Sequence, residues 1–245
     1  MNQPQRRTHR IHYELKHRPV HVVRIEPQGS QFIRIVFGGE ALYDFCSRGF
    51  DDHIKFIFQD VDSSETLMRD YTPRHFDPER QELSIEFALH GEGSACRWAQ
   101  QARPGQTATI AGPRGSLLIA GDYDWYLLAG DATALPAIRR CVEELPTNSR
   151  IRVMLQMPED YSADEWQAHP HIDLHLQHTD SALLEQLQTL PLPEGIGFVW
   201  AAGEKNSMAQ IRKLIRQQTP FLSPNTRIAA YWRKGCPCFH EELQE

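Results

Sequence analysis

The chain has 245 residues, 40% hydrophobic and 24% charged, with a formal net charge of −6 at pH 7. That is enough length for two modest domains, and the balance fits a globular protein and argues against extensive disorder. The acidic excess argues against general attraction to nucleic acid or an anionic membrane face, and no apolar run is long enough to span a bilayer.

The opening residues 1–10 are polar and lack the apolar centre of a signal peptide, so the cytoplasm is the expected location. Five cysteines, an odd number in a chain of this length, argue against a disulfide framework. Up to residue 121 the chain reads as strands and turns. Segments 20–25 and 32–37 flank a turn at Pro27-Gln28-Gly29-Ser30. In 53–58, Ile54, Phe56 and Phe58 point one way, while His53, Lys55 and Ile57 point the other. A further strand ends at Arg69-Asp70-Tyr71-Thr72, and 81–89 alternates again with Leu83, Ile85, Phe87 and Leu89 on one face. A helix over 94–101 is closed by Pro104-Gly105, and strands at 107–110 and 117–119 flank a turn at Gly112-Pro113-Arg114-Gly115. Six or so antiparallel strands of this length bury their apolar faces by closing into a small barrel.

After Asp122 short apolar strands alternate with helix-period segments. Strands are expected at 125–129, 151–157, 172–176, 198–202 and 227–232, with helices at 135–145, 181–190 and 207–217 and a helical turn near 163–167. Strands apolar on both faces belong to a parallel sheet covered by helices. The boundary therefore falls at Gly121-Asp122, giving domains 1–121 and 122–245.

Two motifs carry chemistry in the first domain. Arg69 offers a forked guanidinium for phosphate, and Tyr71, two residues on, shares its strand face and adds a flat ring with a hydroxyl. Thr72 adds a hydroxyl and a backbone N–H. At His90-Gly91-Glu92-Gly93-Ser94-Ala95 the chain turns into a helix whose free N–H groups suit a pyrophosphate. Together they suit a flavin dinucleotide; Trp98 beyond them is expected in the core. In the second domain Gly130-Asp131-Ala132-Thr133-Ala134 follows the first strand and opens a helix, where open α/β sheets bind dinucleotides, although it lacks the three-glycine fingerprint. Gly203-Glu204 repeats that strand-end pattern. Cys236-Pro237-Cys238, with His240 nearby, has neither the spacing nor the fourth ligand of a metal hook, and reads as a surface tail.

Taken together, Arg69-Asp70-Tyr71-Thr72-Pro73-Arg74, the His90–Ala95 turn with Trp98-Ala99, Gly112–Gly115, Ala129–Ile138, Trp200–Glu204 and Tyr231–Gly235 resemble the siderophore-interacting proteins. These are a branch of the ferredoxin–NADP reductase-like superfamily that includes ferric-chelate reductases. The resemblance implies a two-domain fold: a six-stranded antiparallel Greek-key β-barrel followed by an α/β domain with a parallel sheet. It implies FAD held without a covalent bond, NADH or NADPH as donor, and ferric iron in a siderophore as acceptor; a monomer is expected, and the charge and the short apolar runs lead to no stable membrane association and no nucleic-acid partner. Arg69, Tyr71, Thr72 and Arg74 would hold the flavin, with His90, Gly91, Gly93, Ser94 and Ala95 around its phosphates. Asp131, Thr133, Ala134, Gly203 and Glu204 would line the nicotinamide approach. Lys55, Arg233 and Lys234 match the basic residues around the open flavin face, and a cationic funnel suits an anionic chelate approaching an acidic protein. Reduced ferredoxin as donor, a flavin reductase, a reductase coupled to a protein electron carrier such as ferredoxin, and a siderophore-binding protein without turnover stay open as alternatives.

Overall fold

A computed structural model of the chain describes residues 8–63, 65–89, 93–119, 122–218 and 225–236. The chain divides into two compact units, one spanning 9–118 and the other built from the residues that follow.

The first unit contains β1 (Thr8–His12), β2 (His17–Gln28), β3 (Phe32–Gly38), β4 (Ile54–Gln59), β5 (Thr66–Tyr71), β6 (His75–Asp77), β7 (Glu82–Ala88), α1 (Ser94–Gln100), β8 (Thr107–Ala111) and β9 (Gly115–Ile119). Seven of these strands form one antiparallel sheet in the order β5-β4-β8-β2-β3-β7-β6, and β1 pairs with β9 in a separate ribbon. The sheet has seven strands where six were expected. The extra strand, β6, is three residues long and too short to show alternation.

Strand β2 is longer than its apolar pattern suggested, because it holds Pro19 and Pro27, which lack the N–H a ladder needs. Register explains the tolerance. β2 pairs with β8 through residues 17–21 and with β3 through 21–28, so each proline lies where only one side of the strand is paired. In β4 the period of two holds: Ile54, Phe56 and Phe58 are buried, while Lys55 and Ile57 are partly exposed. The buried set joins Phe37, Phe87 and Trp98 in an aromatic core, with the Trp98 ring 4.8 Å from that of Phe56. Each such side chain contributes about 1.5–3 kcal/mol by leaving water.

The second unit contains β10 (Trp125–Asp131), α2 (Leu135–Glu144), β11 (Ile151–Gln156), a 3₁₀ turn (Asp164–Ala168), β12 (Ile172–Gln177), α3 (Asp180–Thr189), β13 (Gly197–Glu204), α4 (Lys205–Gln218) and β14 (Thr226–Trp232). All pairings are parallel, in the order β12-β11-β10-β13-β14. β10 and β13 are buried along their whole length, as central strands covered on both faces must be. Met208, Ile211 and Ile215 of α4 pack on Leu127, Ala129, Val199 and Ala201. Pro136 sits in the first turn of α2, where its missing N–H is harmless. Thr179 caps α3 by accepting from Ala182 N at 3.2 Å.

The chain moves outward from β10 to β11 and β12, then returns to the other side for β13 and β14. The direction of winding therefore reverses between β10 and β13. Sheets of this kind take ligands outside the carboxyl ends of the strands at such a point. Among the described residues, no helix is long and apolar enough to cross a membrane.

Candidate functional site

On the first unit, the register of β4 against β5 sorts the candidate residues into two faces. Phe56 lies opposite Arg69, and Ile54 opposite Tyr71, so Arg69 and Tyr71 share the core face. The Tyr71 ring packs 4.5 Å from Phe87 and 5.9 Å from Phe56, and this burial pushes its phenol pKa up. Lys55 lies opposite Asp70 on the outer face, and Lys55 Nζ donates to the Asp70 carboxylate at 2.7 Å. Sequence reading did not foresee that pairing, although Asp70 stands inside the arginine-tyrosine motif.

The two arginines of the motif differ. Arg74 is buried and ion-paired at 3.3 Å with Glu86, whose side chain is fully buried and also takes Arg34 at 2.6 Å. Arg69 is half-buried, and its Nη1 donates to the carbonyl of Met68 at 2.8 Å. Among the described residues no carboxylate neutralises Arg69. Glu86 was missed in the sequence; the signal was an acid at the centre of the apolar run Leu83–Ala88.

Helix α1 starts at Gly93, whose backbone is extended and where a Cβ would meet nothing within 4 Å. Among the described residues no side chain caps this end of the helix. Ser94 is partly exposed and Ala95 buried. His90 and Gly91 lie outside the described residues. A flavin dinucleotide needs a cation for its pyrophosphate, uncapped N–H groups and room for close backbone approach. Arg69, the start of α1 and the open space at Gly93 supply these, so the donor set fits FAD.

On the second unit, the strand ends at the reversal point are joined by Asp131. Its Oδ1 accepts from Thr133 N at 2.8 Å and Thr133 Oγ1 at 2.5 Å. Its Oδ2 accepts from Glu204 N at 2.9 Å and Trp232 Nε1 at 2.8 Å. Burial pushes the Asp131 carboxyl upward, and the hydrogen bonds from Thr133 and Trp232 work against that rise. One carboxylate thus ties β10 to β13, β14 and the turn before α2. Gly203 has φ +151°, and a Cβ there would stand 2.5 Å from Asp131 Oδ2. A Cβ on Gly130 would collide with the Ala202 carbonyl and the Ala134 methyl. The glycines of both strand ends are therefore demanded by internal packing. Ala134 is fully buried.

Glu204 caps α4 from within: its Oε2 accepts from Asn206 N at 2.5 Å and Ser207 N at 3.2 Å. Its Oε1 accepts from Lys234 N at 3.3 Å. Arg233 and Lys234 are exposed on a turn closed by a bridge between Arg233 and Cys236. Trp232 as a donor to Asp131 carried no signal in the sequence. Among the described residues no cluster of His, Cys, Asp or Glu could hold a metal ion; Cys238 and His240 lie outside them.

An antiparallel unit fitted to FAD, followed by a parallel α/β unit with a reversal point, is the build of an FAD-dependent oxidoreductase. The chain belongs to the siderophore-interacting protein family. Residues 123–235 match the family model described as siderophore-interacting protein, and residues 60–117 match the siderophore-interacting FAD-binding domain. Over 95% of its length, and 99% of the relative's, the chain is 35% identical to the NADPH-dependent ferric-chelate reductase of Escherichia coli strain K12. It is 27% identical to the ferric vibriobactin reductase of Vibrio cholerae, covering 90% of this chain and 91% of that one. A siderophore utilization protein from T. fusca superposes with a TM-score of 0.87 at 29% identity, covering 97% of this chain and 98% of that one.

Proposed function

We propose that the protein is a ferric-siderophore reductase that uses NADH or NADPH and bound FAD to reduce chelated Fe(III) to Fe(II) in the cytoplasm. The observation that carries this reading is the full-length likeness to a ferric-chelate reductase, joined to a donor set that fits FAD. When bound, FAD supplies acceptance of a hydride from a two-electron donor and release of electrons singly to a one-electron acceptor.

The protein's own residues then have limited tasks. Arg69 neutralises the pyrophosphate, and the N–H groups at Gly93, Ser94 and Ala95 take its oxygens, with His90 and Gly91 assigned to the same turn. Tyr71 and Thr72 border the ring system. Arg74, tied to Glu86, holds the strand end in place beneath them. Thr133, Ala134 and Gly203 shape the donor crevice, braced from inside by Asp131 and Glu204. Lys55 on the first unit, and Arg233 and Lys234 on the second, supply positive charge to draw an anionic chelate to a protein of net charge −6. No side chain needs to ligate iron, because the chelator already fills its coordination sphere, and Fe(II) then leaves hard oxygen ligands more readily. In the same reading the seven-stranded sheet closes as a Greek-key barrel, 1–121 and 122–245 are the two functional domains, and the protein acts as a monomer.

Denaturing the purified protein and identifying the released chromophore by mass tests the cofactor assignment. FAD at near-stoichiometric yield is the expected result; a protein that neither carries nor takes up flavin would contradict it. Rapid reduction of free flavin with no response to ferric chelate would move the assignment to a flavin reductase.

A further inference from the structure

The reversal point between β10 and β13 is where a dinucleotide's pyrophosphate would seek the free N–H groups of helices α2 and α4. In this chain those at the start of α4 are engaged by a carboxylate, while at the start of α2 Ala134 N and Leu135 N hold the carbonyls of Asp131 and Ala132 and Pro136 has no N–H. Asp131 takes Thr133 N in the turn before α2 and reaches across to Glu204 N on the neighbouring strand. Glu204 takes Asn206 N and Ser207 N at the start of α4, and Lys234 N from the segment after β14. Both side chains are buried, with each residue 7% exposed. Four donors converge on Asp131, two on each oxygen. Gly203, between β13 and the Asp131 carboxylate, has no room for a Cβ, which would stand 2.5 Å from Asp131 Oδ2.

We infer that Asp131 and Glu204 are specificity-determining residues which exclude the pyrophosphate of a nicotinamide dinucleotide from the reversal point, so that a nicotinamide donor engages this unit with its phosphates held elsewhere. The inference rests on the reading that the second unit receives NADH or NADPH. It follows from charge and from occupancy. An incoming phosphate meets the Glu204 carboxylate and the oxygens of Asp131 where it would need donors, and the donors it would need already hold partners. Affinity for the donor then comes from its nicotinamide and ribose portions, and is weak for a site of this topology. The effect is electrostatic, so added salt weakens it.

The test is calorimetric titration of the full-length flavoprotein with ADP-ribose, which carries the pyrophosphate without the nicotinamide, and with adenosine, which carries neither. Removing one buried charge by Glu204→Gln should tighten ADP-ribose binding by about fivefold or more at low ionic strength, with the gain shrinking as salt is added. Adenosine binding should not follow. Glu204→Asp keeps the charge and shortens the reach, so it should show no such gain; equal gains in both variants would assign the effect to geometry and overturn the inference. Weaker binding in Glu204→Gln would make Glu204 an acceptor for a ribose hydroxyl and overturn it as well. Thermal melts of each variant identify a loss of fold. The functional reading fails separately: wild-type protein whose flavin is reduced chemically and is not reoxidised by ferric siderophore contradicts the reductase reading, whatever the titration shows.

Discussion

Lys55 Nζ lies 2.7 Å from the carboxylate of Asp70, its direct cross-strand partner, on the outer face of the β4–β5 pair. The residue assigned to attract an anionic chelate is therefore held and partly neutralised by its own neighbour. The pair is about a third exposed, with side-chain exposures of 31% and 27%, and an exposed pair of this kind is worth only about 0.2–1 kcal/mol. A chelate carrying several negative charges can displace Asp70 at that cost.

Asp70→Asn should accordingly raise the rate of electron transfer to an anionic catecholate chelate by about 1.5- to 5-fold, with little change for a neutral chelate. Lys55→Ala should lower the anionic rate and leave the neutral one. Stopped-flow reoxidation of pre-reduced protein, at low and high salt, measures both. Equal changes for neutral and anionic chelates would remove Lys55 from substrate attraction.

The two motif arginines should separate cleanly. Arg69→Ala removes a guanidinium that no carboxylate claims among the described residues, and should weaken FAD retention by about 10- to 100-fold. Lys55→Ala should retain flavin far better. Arg74→Ala withdraws one of two cations from the buried Glu86 and should cost about 1–3 kcal/mol of stability. Flavin occupancy after gel filtration, alongside thermal melts, distinguishes loss of cofactor from loss of fold.

The two-unit architecture was largely legible because period-two and helix-period patterns change near residue 121. Strands β4 and β7 and the alternation of β10–β14 with helices follow from apolar spacing alone. Strand β6 and the proline-bearing ends of β2 did not show, since pairing on one side only is a property of register. The site was legible as motifs and not as partnerships. Arg69, Tyr71 and the glycines of the second unit could be named, yet sequence reading gave Asp131 and Glu204 to a ligand. In the structure their oxygens accept from Thr133, Glu204 N, Trp232, Asn206, Ser207 and Lys234. Trp232 and Lys234 stand 101 and 30 residues from their acceptors, a separation that leaves no local pattern to read.

Gly203→Ala tests that internal network directly. The new methyl group would meet Asp131 Oδ2 at 2.5 Å on a backbone with φ +151°, a region L-residues rarely occupy. The expected loss is about 2–4 kcal/mol, seen as a fall of roughly 5–12 °C in Tm. A melt within 1 °C or so of wild type would show that the strand end yields easily.

The Asp131 carboxyl also sets a pH dependence. Burial raises its folded-state pKa above the unfolded one. Its contribution is therefore fully present below the unfolded value of about 3.9 and is lost as pH rises through the folded value. In urea titrations over a pH series, Asp131→Asn supplies a side chain that does not titrate, against which the wild-type dependence is read. The difference between wild type and variant should narrow as pH rises through that window. A difference that widens over the same range would show that the hydrogen bonds outweigh burial.

The central claim is tested most directly by following the two half-reactions in one anaerobic experiment. The FAD-loaded protein is mixed first with NADH, NADPH or reduced ferredoxin, then with a ferric siderophore and an Fe(II) trap. The flavin absorbance should bleach with the proper donor, return when the chelate arrives, and be matched by about two trapped Fe(II) for each flavin reoxidised from its two-electron-reduced form. Bleaching followed by no chelate-dependent return, with no Fe(II) formed, would contradict a ferric-siderophore reductase.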